Sequence, residues 1–218
     1  MFAWPKLKLT VQNYVKACTI CQRAKVEHIK SPGLLQPLAI PTQPWTVVSL
    51  DFIEGLPQPT RFNAILVVID KLTKYGHFLP LSHLFTALQV AQLYLANIYK
   101  LHGLPTTIIS NRDRIFTSNV WQELFKLADT QLTMSSSYQR QTDGQTERLN
   151  QCLETFLRCS VHSCPTQWSK WLPLTGFWYN TTYQSALGHS PFEVLYGHPP
   201  RHFGITNLQA YSVPDLES

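Results

Sequence analysis

The chain is poor in charge. Only 14% of its 218 residues are Asp, Glu, Lys or Arg, and acids are the scarcer sign, 13 against 18, so a carboxylate in a chemically suggestive place stands out. Long apolar runs are absent: none approaches the roughly eighteen residues that a membrane-spanning helix needs. The N-terminus lacks the charged, apolar and small segments of a secretory signal, and an intracellular protein is expected. Cysteine is sparse and odd in number, 5 in all, with Cys18 and Cys21 the one tight pair. That count excludes a secreted disulfide framework. Glycine (9) is outnumbered by proline (15), and the prolines gather in 32–59 and 191–214, which read as loops and linkers around a folded centre. What is present suffices for a core: 44% hydrophobic residues, at a length that fits one domain with arms or two small ones. A net charge of +5 suits a polyanionic partner without demanding one.

Residues 7–17 have loose helical spacing and run into Cys18-Thr19-Ile20-Cys21, followed by the basic Arg23 and Lys25. A CxxC of this kind is half of a zinc site. Structural zinc takes four ligands and only His28 follows within reach, so no stable zinc site is expected from these residues alone. Residues 31–44 read as an extended linker. Three strands follow: 45–53, β-branched and alternating, with Asp51 near its end; 64–70, continuously apolar and so covered on both faces; and 75–80, all three as an antiparallel meander. A helix over 86–99 is capped by Thr86, stopped at Gly103 and expected to turn Leu88, Ala91, Leu95 and Ile98 inward. A strand over 106–110, a helix over 119–128 with Val120, Leu124 and Leu127 inward, and a strand over 131–135 complete a mixed five-stranded α/β sheet flanked by helices. Sites on such sheets collect where strands end, which is where Asp51 and Asn111 fall.

The stretch 136–150 is polar and leads into a helix. Leu149, Leu153, Phe156 and Leu157 recur at helical spacing, with Glu147, Gln151, Glu154 and Arg158 on another face. Glu147 is expected to open this helix, with Asp143 and Gly144 forming the turn before it. A Glu there that merely stabilises the helix dipole is the plainer alternative.

Taken together, Cys18-Thr-Ile-Cys21, Leu50-Asp51-Phe52-Ile53, Val68-Ile69-Asp70-Lys71, Ile109-Ser110-Asn111-Arg112-Asp113, Thr142-Asp143-Gly144-Gln145-Thr146-Glu147-Arg148 and Ser190-Pro191-Phe192-Glu193 resemble the integrases of gypsy-type LTR retrotransposons. The resemblance implies an RNase H-like core, residues 45–200, whose acidic triad holds two Mg or Mn ions for phosphoryl transfer to and from DNA. It further implies a truncated His-His-Cys-Cys zinc-binding remnant over 1–30, a linker over 31–44 and a tail over 201–218. Asp51 matches the first acid and Glu147 the third. The second position, with thirty-five residues between it and Glu147, is Asn111. Asn offers a metal one neutral oxygen and no charge, so impaired catalysis is expected, and Asp113 is not expected to replace it because the strand has ended. Asp70 matches a non-catalytic position. The family's His-Pro after Tyr138 is here Gln139-Arg140, which should loosen the loop before Glu147. Lys71, Lys74, Arg112, Arg140, Arg148 and Arg158 are candidate phosphate contacts flanking the site. The resemblance also implies a homodimer through late helices of the core, no membrane partner, and a nuclear place of work. The alternative is a non-catalytic nucleic-acid or protein-binding module.

Overall fold

A computed structural model describes residues 4–24, 41–57, 61–82, 84–110, 115–119, 121–122, 125, 129–134, 140–161 and 165–201, with backbone alone for 23–24, 134 and 140–148. Two short helices, α1 (Leu7–Ala17) and α2 (Thr19–Ala24), precede the sheet. The strands are β1 (Val47–Ile53), β2 (Ala64–Asp70), β3 (Gly76–Leu81), β4 (Thr107–Ser110) and β5 (Gln131–Met134), in the order β3-β2-β1-β4-β5. β1 pairs antiparallel with β2, and β2 with β3; β1 and β4, and β4 and β5, run parallel.

The alternation of β2 builds two cores. Ala64, Leu66 and Val68 enter one, with Val90, Ala91, Tyr94, Trp121 and Phe125. Ile65, Val67 and Ile69 enter the other, with Leu149, Leu153, Leu157, Trp168 and Leu172. A strand buried at every position must be apolar throughout, as this one is up to Asp70.

On the first face lies α3 (Ala87–Tyr94), opened by a capping box between Thr86 and Gln89. It continues through a π-helical turn over Leu95–Tyr99 into α4 (Lys100–His102), ending at Gly103 with φ 76°. The inward residues are Val90, Ala91, Tyr94 and Ile98, whereas Leu88 is 57% exposed, contrary to expectation. The buried stripe is centred on Ala91, and Leu88 lies off it. Asn119, Trp121, Gln122 and Phe125 are helical, with Trp121 and Phe125 fully buried; Val120, Leu124 and Leu127 lie outside the described residues.

On the second face pack α5 (Arg140–Ser160) and α6 (Trp168–Thr181), and a short α7 (Pro191–Tyr196) follows. Asn180 joins α6 to the edge strand: its Oδ1 accepts from Gly76 N (2.8 Å) and its Nδ2 donates to Gly76 O (2.9 Å). Gly76 is required there, because a Cβ would come within 2.8 Å of Ile69 and Phe78 side-chain atoms. Among the described residues no helix is long and apolar enough to cross a membrane.

Near the N-terminal end of β1, Asp70 is fully buried and acts as a structural clasp. Its Oδ1 accepts from Trp45 N (2.9 Å), and its Oδ2 from Thr73 N (2.9 Å) and Thr73 Oγ1 (2.6 Å). Trp45 stacks on His102 at 3.7 Å, and His102 Nε2 meets His77 Nε2 at 2.9 Å, a contact that needs one ring neutral and accepting. Burial, reinforced by His102, lowers the His77 pKa to about 4; burial lowers that of His102 as well, opposed by Asp70. Both folded values lie below the unfolded one, so unfolding takes up protons in acid. This stability is full above pH ~6.5 and drains as pH falls towards 4, by up to about 3 kcal/mol for His77. Thermal melts should show the midpoint dropping across that window, and His77→Phe should flatten the dependence.

Candidate active site

Asp51 is placed by β1. Residues 49, 51 and 53 of that strand alternate with Val48 and Leu50, which enter the first core, so Asp51 faces the α5 side of the sheet. It is 9% exposed. Its Oδ2 accepts from Asn150 Nδ2 at 2.7 Å and its Oδ1 from Phe52 N at 2.9 Å. A hard, buried carboxylate of this kind is the ligand type that suits Mg or Mn. Asn150 Oδ1 is buried with no hydrogen-bond partner among the described residues. An amide that orients the carboxylate through Nδ2 while holding a spare acceptor is the feature that sequence reading passed over. The available signal was its position three residues after Glu147, on the same helical face.

The parallel β1 and β4 run in register to Leu50 opposite Ser110. The residues that follow in sequence are Asp51 and Asn111. Asn111, Arg112 and Asp113 lie outside the described residues, as do the side chains of Arg140, Glu147 and Arg148. The backbone of Glu147 corrects one expectation. It sits two turns inside α5, which begins at Arg140, so 143–144 are helical and form no preceding turn. Once the long helix is nucleated, each added residue gains a backbone bond, which offsets the cost of about 1 kcal/mol for Gly144.

The candidate phosphate contacts do not share one place. Lys71 and Lys74 stand in the β2–β3 turn, where Lys71 N donates to Val47 O (3.0 Å), so they do not flank Asp51. Asp51 is four residues further along β1, about 13 Å at strand rise. The antiparallel hairpin puts its turn beside the start of β1. Lys74 has φ 62° and its Nζ donates to Lys71 O (2.6 Å). Burial, with Lys71 adding repulsion and Asp70 opposing it, lowers the Lys74 pKa to about 8. Arg158 is on α5, two turns beyond Asn150, and pairs with Glu154 at 2.6 Å.

At the CxxC, Cys18 occupies the junction of α1 and α2, and Cys21 N donates to Cys18 Sγ (3.5 Å). Hydrogen bonds from the Cys21 backbone and thiol lower the Cys18 pKa. These are two thiol ligands of a four-ligand site. His28 lies outside the described residues, among which no cluster of three or more potential ligands is arranged for a metal.

Residues 1–27 match the integrase zinc binding domain. The Tf2-3 and Tf2-4 transposon polyproteins of Schizosaccharomyces pombe are 35% identical over 199 residues, 91% of this chain. The chain belongs to the transposon integrase family. It spans 15% of the length of those polyproteins. The integrase core fold is shared with the HTLV-2 integrase catalytic core domain in complex with magnesium, at TM-score 0.57 and 15% identity, covering 70% of this chain and 97% of that one. It is shared as well with the simian T-cell lymphotropic virus intasome in complex with PP2A regulatory subunit B56 gamma, at TM-score 0.64 and 16% identity, covering 93% and 73%. The integrase assignment covers both the CxxC helices and the five-stranded sheet, the two parts expected from the sequence.

Proposed function

We propose that this integrase chain binds DNA with the α5 side of its sheet, and that Asn111 weakens the metal-dependent polynucleotidyl transfer that the site is built for. The observation that carries this reading is the Asp51–Asn150 pair, which joins β1 to the helix bearing Glu147. Asp51, Asn111 and Glu147 would hold Mg or Mn. Bound there, two such ions would activate the attacking hydroxyl and stabilise the leaving oxygen. Asn150 fixes the Asp51 carboxylate, and α5 sets the position of Glu147 one turn away. Arg158, released from its exposed pair with Glu154, is free to meet a phosphate at little cost, since such pairs contribute ~0–1 kcal/mol. On α6, Trp171, Leu174 and Phe177 recur at helical spacing and are 40%, 54% and 41% exposed, which supports a second copy of the chain as partner. A chromosomal DNA target would put this work in the nucleus. The competing reading, a binding module without catalysis, is favoured by the Asn at position 111.

The integrase reading requires DNA affinity, as does the competing one where its partner is a nucleic acid rather than a protein. Anisotropy titrations of a duplex in EDTA should show binding that weakens at least about tenfold between about 50 and about 200 mM salt, through counterion release. No binding, or binding indifferent to salt, would remove DNA as partner. For the metal site, Asn150→Ala should lower Mn affinity about 10- to 100-fold, the usual consequence of freeing a ligating carboxylate. An unchanged isotherm would make Asn150 a packing residue only.

A further inference from the structure

Two histidines 25 residues apart in sequence turn their ring nitrogens towards each other on the face of the sheet opposite Asp51. In the strand registers Leu50, Val68 and His77 stand in one row. Paired residues share a face, so His77 lies with Leu50 and Val68 on the α3 side. The helix α4 brings His102 over it, and the two Nε2 atoms are 2.9 Å apart with the ring centres at 5.1 Å. Both rings are half-buried, so neither is sealed from solvent. Their neighbours hold them in place. The Trp45 indole stacks on His102 with 5° between the planes, and the Tyr75 ring centre stands 5.5 Å from that of His77. Trp45 N is bound in turn to the buried Asp70 carboxylate, which sets a negative charge nearby.

We propose that His77 and His102 form a site for an imidazole-seeking divalent transition ion of the nickel or copper class, bound through both Nε2 atoms with water in the remaining positions. Two nitrogens in adjacent positions of a square-planar or octahedral ion, each about 2.05 Å from it, are about 2.9 Å apart. That is the separation the fold already imposes. Small ring rotations turn the two lone pairs from one another onto the shared ion. The ring that donates in the unliganded contact moves its proton from Nε2 to Nδ1, so each neutral imidazole then carries its one proton on Nδ1. Hard Mg and Mn prefer oxygen ligands, so this nitrogen pair and the Asp51 carboxylate select different ions. The bound ion ties α4 to the edge strand β3, and the proposal stands apart from any reading of Asn111.

The test titrates the whole 218-residue chain, untagged, with Ni by calorimetry, in a Cys18→Ser, Cys21→Ser background that removes those thiols as competing ligands. A saturable tightest site is expected, with affinity falling at least about tenfold in His77→Phe and in His102→Gln, a loss usual even for partners that only orient a ligand. Glutamine at 102 keeps a polar partner for His77 and serves as the second variant should phenylalanine unfold the chain. Ni at about a hundredfold excess over its dissociation constant should raise the melting midpoint by about 5 °C or more in the parent and in neither histidine variant. Asp51→Asn should leave the Ni affinity unchanged, which separates this site from one built on Asp51. No saturable Ni binding, an affinity indifferent to both histidine substitutions, or a loss that follows Asp51→Asn instead would overturn the proposal.

Discussion

Asn111→Asp should raise Mg- or Mn-dependent strand transfer from a recessed-end duplex at least about 100-fold over the natural chain. An Asn oxygen can approach a metal, but it brings no negative charge to balance two divalent ions held close together. A properly held metal contributes several kcal/mol of transition-state charge stabilisation in such sites, each 1.36 kcal/mol is a factor of ten, and a missing ligand charge forfeits part of it. Asp51 is already oriented by Asn150, and α5 already carries Glu147. Equal rates for the two chains would contradict the reading of Asn111, and Asp113→Asn would then show whether Asp113 supplies the missing ligand.

The largest loss of stability should follow Asn180→Leu. The Asn180 side chain is 5% exposed and satisfies both backbone groups of Gly76. Leucine keeps the volume but leaves a buried N–H and a buried C=O without partners, each costing about 1–3 kcal/mol. A loss of about 4 kcal/mol is expected in urea unfolding, a large part of the 5–15 kcal/mol typical of a domain. Asn180→Asp, which keeps the acceptor and loses the donor, should fall between. A loss under about 1 kcal/mol for leucine would mean that α6 does not depend on this clasp to hold the edge strand.

Where residue pattern and environment agree, the sequence was legible. β2 runs over 64–70 as read, because a continuous apolar run bounded by Asp70 admits few alternatives. The Thr86 cap and Gly103 stop held because each is local backbone chemistry. Other features depend on partners far away in sequence. Gly76 and Asn180 are 104 residues apart, and the His77–His102 contact exists only once α4 lies over the sheet. The misplacement of Lys71 and Lys74 arose from treating neighbours of a family motif as neighbours in space. One missed signal was local: Ser190 and Glu193 form a capping box with Pro191 at the start of α7, a pattern visible in Ser-Pro-Phe-Glu as it stands. In the site, Asp51 was legible from its strand end. Asn150 was only partly so: its place one turn after Glu147 marks the face, but a polar helix residue declares no partner until the sheet is beneath it.

Mn binding, followed by paramagnetic resonance on the natural chain, Asn111→Asp and Asp51→Asn, tests the central claim most directly. The account has weak binding in the natural chain, at least about tenfold tighter binding with Asp at 111, and none above background once Asp51 loses its charge. Equal affinity for the first two, or retained binding in Asp51→Asn, would contradict a metal site built on Asp51 and weakened at Asn111.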